Sequence, residues 1–178
     1  MTYRILTISF FMLCVSAGLA QDLPTSEQLV GGLPSPATGQ TARYIVPFVK
    51  SEINILTRTA TAVTIVNNST TACTVTVEWF SAFADNADRI CTSSRSLLPG
   101  RTVTLCNHSI PGAPISCFDT CGSGFFFEGF ARVTSTAGTA CSKIAVDPAA
   151  YLINFQDFTV AAIRSLKVVK AGAGNNGD

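Results

Sequence analysis

Apolar and polar residues alternate with period two along much of this chain, and nowhere does a long run repeat with the helical period. The clearest stretch runs from Ala60 to Phe83. Val63 and Ile65 alternate with Thr64, then Cys73, Val75, Val77 and Trp79 alternate with Thr74, Thr76 and Glu78. Between the two runs, Asn67, Asn68, Ser69 and Thr70 are residues that bond their own backbone and favour reversals. The pattern predicts one β-hairpin over Ala60–Phe83, with Trp79, the single Trp, in the core beside Val63, Ile65, Val75 and Val77.

Further strands are expected on the same grounds. Arg43 to Val49 reads as a strand interrupted by Pro47, which donates no ladder hydrogen bond and so places it at a sheet edge or bend. Glu52 to Arg58 reads as a strand leading into the hairpin. Ala84 to Arg89 is a polar loop, with Cys91 soon after it. Pro99-Gly100 opens a strand over Arg101–Asn107. Asn107 to Gly124 is a long irregular stretch, and such loops are usually functional or covalently tied. Gly124 to Thr136 is an aromatic strand in which Gly129 marks a bulge or a close backbone approach. Cys141 to Asp147 is a strand ended by Pro148, and Ala149 to Lys170 alternates over strands or a short central helix. Eight or nine short strands with closely spaced turns predict an antiparallel β-sandwich.

The first twenty residues set the compartment. Arg4, an apolar run from Ile5 to Val15 and the small residues Gly18 and Ala20 read as a secretory signal peptide cleaved before Gln21,. The expected organisation is therefore 1–20 signal peptide, 21–41 flexible linker rich in Pro, Gly, Ser and Thr, 42–170 one β-domain, and 171–178 a disordered tail. The apolar run is too short to span a bilayer, and no membrane insertion is expected after cleavage. The chain carries 12 Lys+Arg against 11 Asp+Glu; the leader holds Arg4 and no acid, so the remainder is formally neutral. That balance excludes the basic face of a nucleic-acid binder. Of the 7 Cys, Cys14 lies in the leader. The other six read as three disulfides of an exported protein, since no CxxC pair suggests zinc. The expected location is the extracellular space, the cell surface or the periplasm.

A Tyr44-x-Val46-Pro47 segment, the Asn-Ser-Thr turn, the Thr-Val-x-Trp strand, the Leu98-Pro99-Gly100-x-Thr102 turn and Gly129-Phe130-Ala131-x-Val133 together resemble immunoglobulin-like modules of bacterial secreted and surface proteins. The resemblance covers roughly Ala42 to Pro148. It implies an immunoglobulin-like sandwich and a role in adhesion, display or assembly without catalysis.

Six cysteines allow 15 pairings. In such a sandwich the turns before the Cys73 and Cys141 strands lie at one end, which favours Cys73–Cys141. Cys91 and Cys106 flank the Leu97–Gly100 turn, and Cys117 with Cys121 would close a small ring in the long loop.

Candidate chemistry is sparse. His108, the single His, sits in the loop with Ser109, Asp119 and Ser123, but no G-x-S-x-G elbow accompanies them. A lone loop histidine is expected to be solvated. Asp85, Asn86 and Asp88 lack the spacing of a calcium loop. No cofactor or metal is expected. Asn67, Asn68 and Asn107 each begin an N-x-Ser/Thr acceptor pattern, which in a bacterial source would mean only polar turns. The leading expectation is a non-catalytic binding or adhesion module presenting the loop to an extracellular protein or glycan, with His108, Ile110, Ile115, Phe118 and Asp119 as the contact residues. The alternative is a small secreted hydrolase using His108 and the loop acids. A third reading is a strand-exchanging assembly subunit, although Gln21 to Gln40 lacks the alternation of a donor strand.

Overall fold

Fourteen residues of extended chain, Gln40–Ile53, form strand β1, and the architecture follows from that strand serving two ladders. In the computed structural model, the described residues are 35–53, 56–81, 89–108, 117, 119–120, 127–154, 156–157 and 159–171. The strands after β1 are β2 (Thr57–Asn67), β3 (Cys73–Ser81), β4 (Arg89–Leu97), β5 (Thr102–Cys106), β6 (Asp119–Thr120), β7 (Phe127–Thr136), β8 (Ile144–Asn154), β9 (Val160–Ser165) and β10 (Val169–Lys170). The helical content of the described residues is one 3-10 turn, Thr139–Cys141.

β1 pairs with β7 from Gln40 to Ser51 and with β10 at Tyr44 and Ile45. Its last residues then pair with β2, Glu52 with Thr59 and Ile53 with Arg58. The order on the first side is β4-β3-β7-β1-β10. On the second it is β9-β8-β2-β5-β6, and β5–β6 is the one parallel ladder among the described residues. Because β1 carries hydrogen bonds into both, the strands form one continuous sheet curled into a half-barrel. The molecule is thus all-β, antiparallel and disulfide-stapled, while the bridging β1 stands in place of the two unlinked sheets of an immunoglobulin-like sandwich.

The core fills the concave side. Val46, Val49, Val75, Val77, Trp79, Leu97, Ala131 and Val133 from the first half meet Val63, Ile65, Val103, Leu105 and Ile144 from the second. Trp79 is fully buried there with Val63, Ile65, Val75 and Val77, in keeping with the alternation of β3. The hydroxyl of Tyr44 on β1 donates to the carbonyl of Ile144 on β8 at 2.8 Å, tying the halves across the core.

The pairing corrects several sequence expectations. β2 and β3 are not a hairpin: β2 lies between β5 and β8, and β3 between β4 and β7. The Asn67–Thr70 reversal instead carries the chain from one half to the other. Asn67 is buried and fixes this corner, its Nδ2 donating to the carbonyls of Thr71 and Leu97, both at 2.9 Å, and its Oδ1 accepting from the Ser69 amide. The hairpin of this region is β1–β2, where a single strand over Glu52–Arg58 was expected.

Pro47 does not put β1 at an edge. The register slips between Val46 and Val49, so Pro47 and Phe48 bulge opposite Phe130 and no partner asks for the missing amide,. Pro148 likewise lies inside β8. Its carbonyl accepts from Leu166 just past the end of β9, where the ladder is already finishing. β4 was not expected, because Arg-Ile-Cys-Thr-Ser-Ser-Arg-Ser-Leu shows polar residues on both faces. The signal peptide and all but the end of the 21–41 linker lie outside the described residues, as do Ala82–Asp88 and the tail beyond Ala171.

Candidate functional site

The convex face of the second half carries its own apolar cluster. β2 turns Val63 and Ile65 inward, so the alternate residues Ala60 and Ala62 face out, where they pack with Cys106, Tyr151 and Ile153,. Ala149, Val160 and Cys117 complete the cluster. Cys117 packs against the small side chains of β2 and is joined by a disulfide to Cys106 at the end of β5.

That disulfide closes a span of 11 residues from β5 into the long loop and fastens the loop to this face. It overturns two expected pairings, Cys91–Cys106 and Cys117–Cys121. Cys106 shares the outward face of Ala62, with which it pairs in the ladder, and so meets the returning loop. Cys91 is opposite Trp79 on β3, in the other half of the sheet, and is itself disulfide-bonded. Cys73 and Cys141 form a disulfide with a Cα–Cα distance of 5.7 Å. The end-to-end approach reasoned from the turns brings them together: the Asn68 amide donates to the Lys143 carbonyl, and the Lys143 amide to Ser69 Oγ.

The stem of the loop is polar and locked. The Asn107 amide donates to the Thr61 carbonyl at 3.0 Å, its Oδ1 accepts from the Thr61 amide at 2.8 Å, and its Nδ2 donates to the Lys50 carbonyl at 2.9 Å. His108 follows. It is 2% exposed, which corrects the expectation of a solvated loop histidine, and its Nδ1 lies 3.5 Å from Arg58 Nη1. Nearby on β1 and β7, Lys50 Nζ bridges Glu52 at 2.7 Å and Glu128 at 2.8 Å. The hydrogen bond that Lys50 donates to Glu128, then that to Glu52, raise the Lys50 pKa above 10.5 against the opposing cost of burial. Burial, and then the charge of Asp147, raise that of Tyr151 above 10.0.

Of the expected contact residues, His108 is buried in the loop stem. Asp119 lies in β6, paired with Leu105. Ile110, Ile115 and Phe118 lie outside the described residues. Arg58 and Tyr151 at this face were not expected; the signal for Tyr151 was its alternation with Ile153. Among the described residues no group of three or more His, Cys, Asp and Glu gathers as a metal site, and no helix is long and apolar enough to cross a membrane.

The convex face of the first half is different in kind. Glu78 Oε2 accepts from Arg132 Nε at 2.6 Å and Oε1 from Arg89 Nη1 at 3.0 Å. Glu78 and Arg132 are 2% and 3% exposed. The rings of Phe80 and Phe130 stack beside them at 4.9 Å, with the Arg132 guanidinium 5.3 Å from the Phe80 centroid.

No protein-family model, curated protein or solved structure matches this chain.

Proposed function

We propose that the protein is a non-catalytic secreted or cell-surface binding module that presents a disulfide-tied loop to an extracellular protein or glycan. The observation that carries this reading is the Cys106–Cys117 bond, which ties the chain after β5 back to the sheet face at the end of that strand. A loop held at its base loses less conformational freedom on binding, so more of its contact energy appears as affinity. Disulfides also agree with an oxidising compartment, where exported proteins work. The burial of His108 in the loop stem favours a structural role for it over that of a base open to substrate.

Arrays of glycans and extracellular matrix proteins probed with the oxidised chain test the reading. Specific binding should appear and be lost in an Ile115→Ser/Phe118→Ser variant whose unfolding midpoint is unchanged. Turnover of an ester, peptide or glycoside panel that vanishes on His108→Gln, with the fold intact, would overturn it in favour of a hydrolase.

A further inference from the structure

Among the described residues, one edge of the sheet is left open in a way the others are not. β6 and β10 are two residues long each, and β4 carries Arg89, Arg95 and the disulfide-bonded Cys91 along its length. β9, Val-Ala-Ala-Ile-Arg-Ser, pairs only with β8 among the described residues. It holds no Pro and one charge, and every residue after Val160 is exposed, Ile163 at 55%. Natural edge strands are usually blunted by charge, Pro, shortness or cover.

The direction of its backbone groups is fixed by β8. The Leu166 amide donates to the Pro148 carbonyl at 2.9 Å. In an antiparallel ladder alternate residues face the same neighbour, so Arg164 and Ala162 turn toward β8 while Ile163 and Ser165 offer their N–H and C=O groups outward.

We infer that β9 is a self-association edge that pairs antiparallel with β9 of a second copy of this chain. A two-fold axis at Ile163 sets the two Ile163 side chains against each other and joins their free backbone groups. Arg164 then faces Ala162 of the second copy, so no like charges meet; a register shifted to place the axis at Arg164 would oppose two guanidinium groups. Small residues at Ala161 and Ala162 let the backbones approach. The ends of the strand agree in charge. With that axis Lys167, exposed just after β9, faces Thr159 of the second copy, and Asp157, exposed in the turn and accepting from Thr159, lies two residues further along, once at each end of the pair. A strand edge with acid at one end and base at the other is complementary to its own antiparallel copy, which favours a second copy over an unrelated extended peptide.

Sedimentation velocity of the oxidised chain over a rising concentration series tests this. A dimer should form, and Ile163→Pro, which removes an outward amide and leaves the β8 ladder intact, should abolish it at an unchanged unfolding midpoint. Lys167→Asp should weaken it, and mixing that variant with Asp157→Lys should restore a heterodimer. A chain that stays monomeric to about 1 mM, or a dimer indifferent to Ile163→Pro and to the charge exchange, would overturn the inference.

Discussion

Glu78 is a carboxylate on the convex side of β3 that accepts from two arginines, one of them as buried as itself. Removing one partner of such a pair strands the other charge in a low-dielectric site, and this costs about 3–5 kcal/mol, whereas replacing both by apolar residues of similar volume is often neutral. Glu78→Ala should therefore lower stability by about that amount in urea unfolding. Glu78→Leu combined with Arg132→Met should recover most of it. Equal losses for the single and double variants would mean the arginine is not held by Glu78. Alkali probes two other residues. The folded state favours protonated Tyr151 and Lys50, since both pKa values are raised. Their contribution is fully present below about pH 10 and is lost as pH climbs through the raised folded values. The urea midpoint should hold level up to about pH 10 and then fall, with a smaller fall for Tyr151→Phe; a midpoint insensitive to that range would contradict the assignment.

Elements show which parts of the fold were legible in the sequence. Alternation located β2, β3, β5, β7 and the start of β8, because each has one face in the core and its apolar residues report it. Partners were another matter. Period two says that a strand has two faces and is silent on which strand lies beside it, so β2 and β3 read as a hairpin although their turn crosses between halves. Asn67 carries the difference: with its amide and carboxamide bonded across the corner, it makes a junction rather than a hairpin tip. Asn67→Ala should cost about 1–3 kcal/mol, the price of leaving buried carbonyls unpaired, measured by chemical denaturation; a neutral effect would show that the corner holds without it. Proline misled for a related reason. Pro47 and Pro148 read as an edge and an end, but a bulge and the finish of a neighbouring strand each remove the need for one amide. The candidate site was partly legible: the long loop and its cysteines were visible, but the apolar convex face was not, because Ala60 and Ala62 look like unremarkable members of a strand whose other face is already accounted for.

At the scale of the whole molecule, the Cys73–Cys141 and Cys106–Cys117 disulfides hold different things. Cys73–Cys141 spans 68 residues and joins the two halves at the Asn67 corner; in the chain-entropy view it stabilises by about 4 kcal/mol. Cys106–Cys117 spans 11 residues and by the same reasoning contributes about 3 kcal/mol,, and its larger consequence is to keep one loop on one face. The binding proposed for that loop depends on this attachment and not on the curled sheet alone. Non-reducing peptide mapping of the oxidised protein tests it most directly. Peptides linking Cys106 to Cys117 and Cys73 to Cys141 are the expected result, and a peptide linking Cys91 to Cys106, or Cys117 to Cys121, would contradict the account.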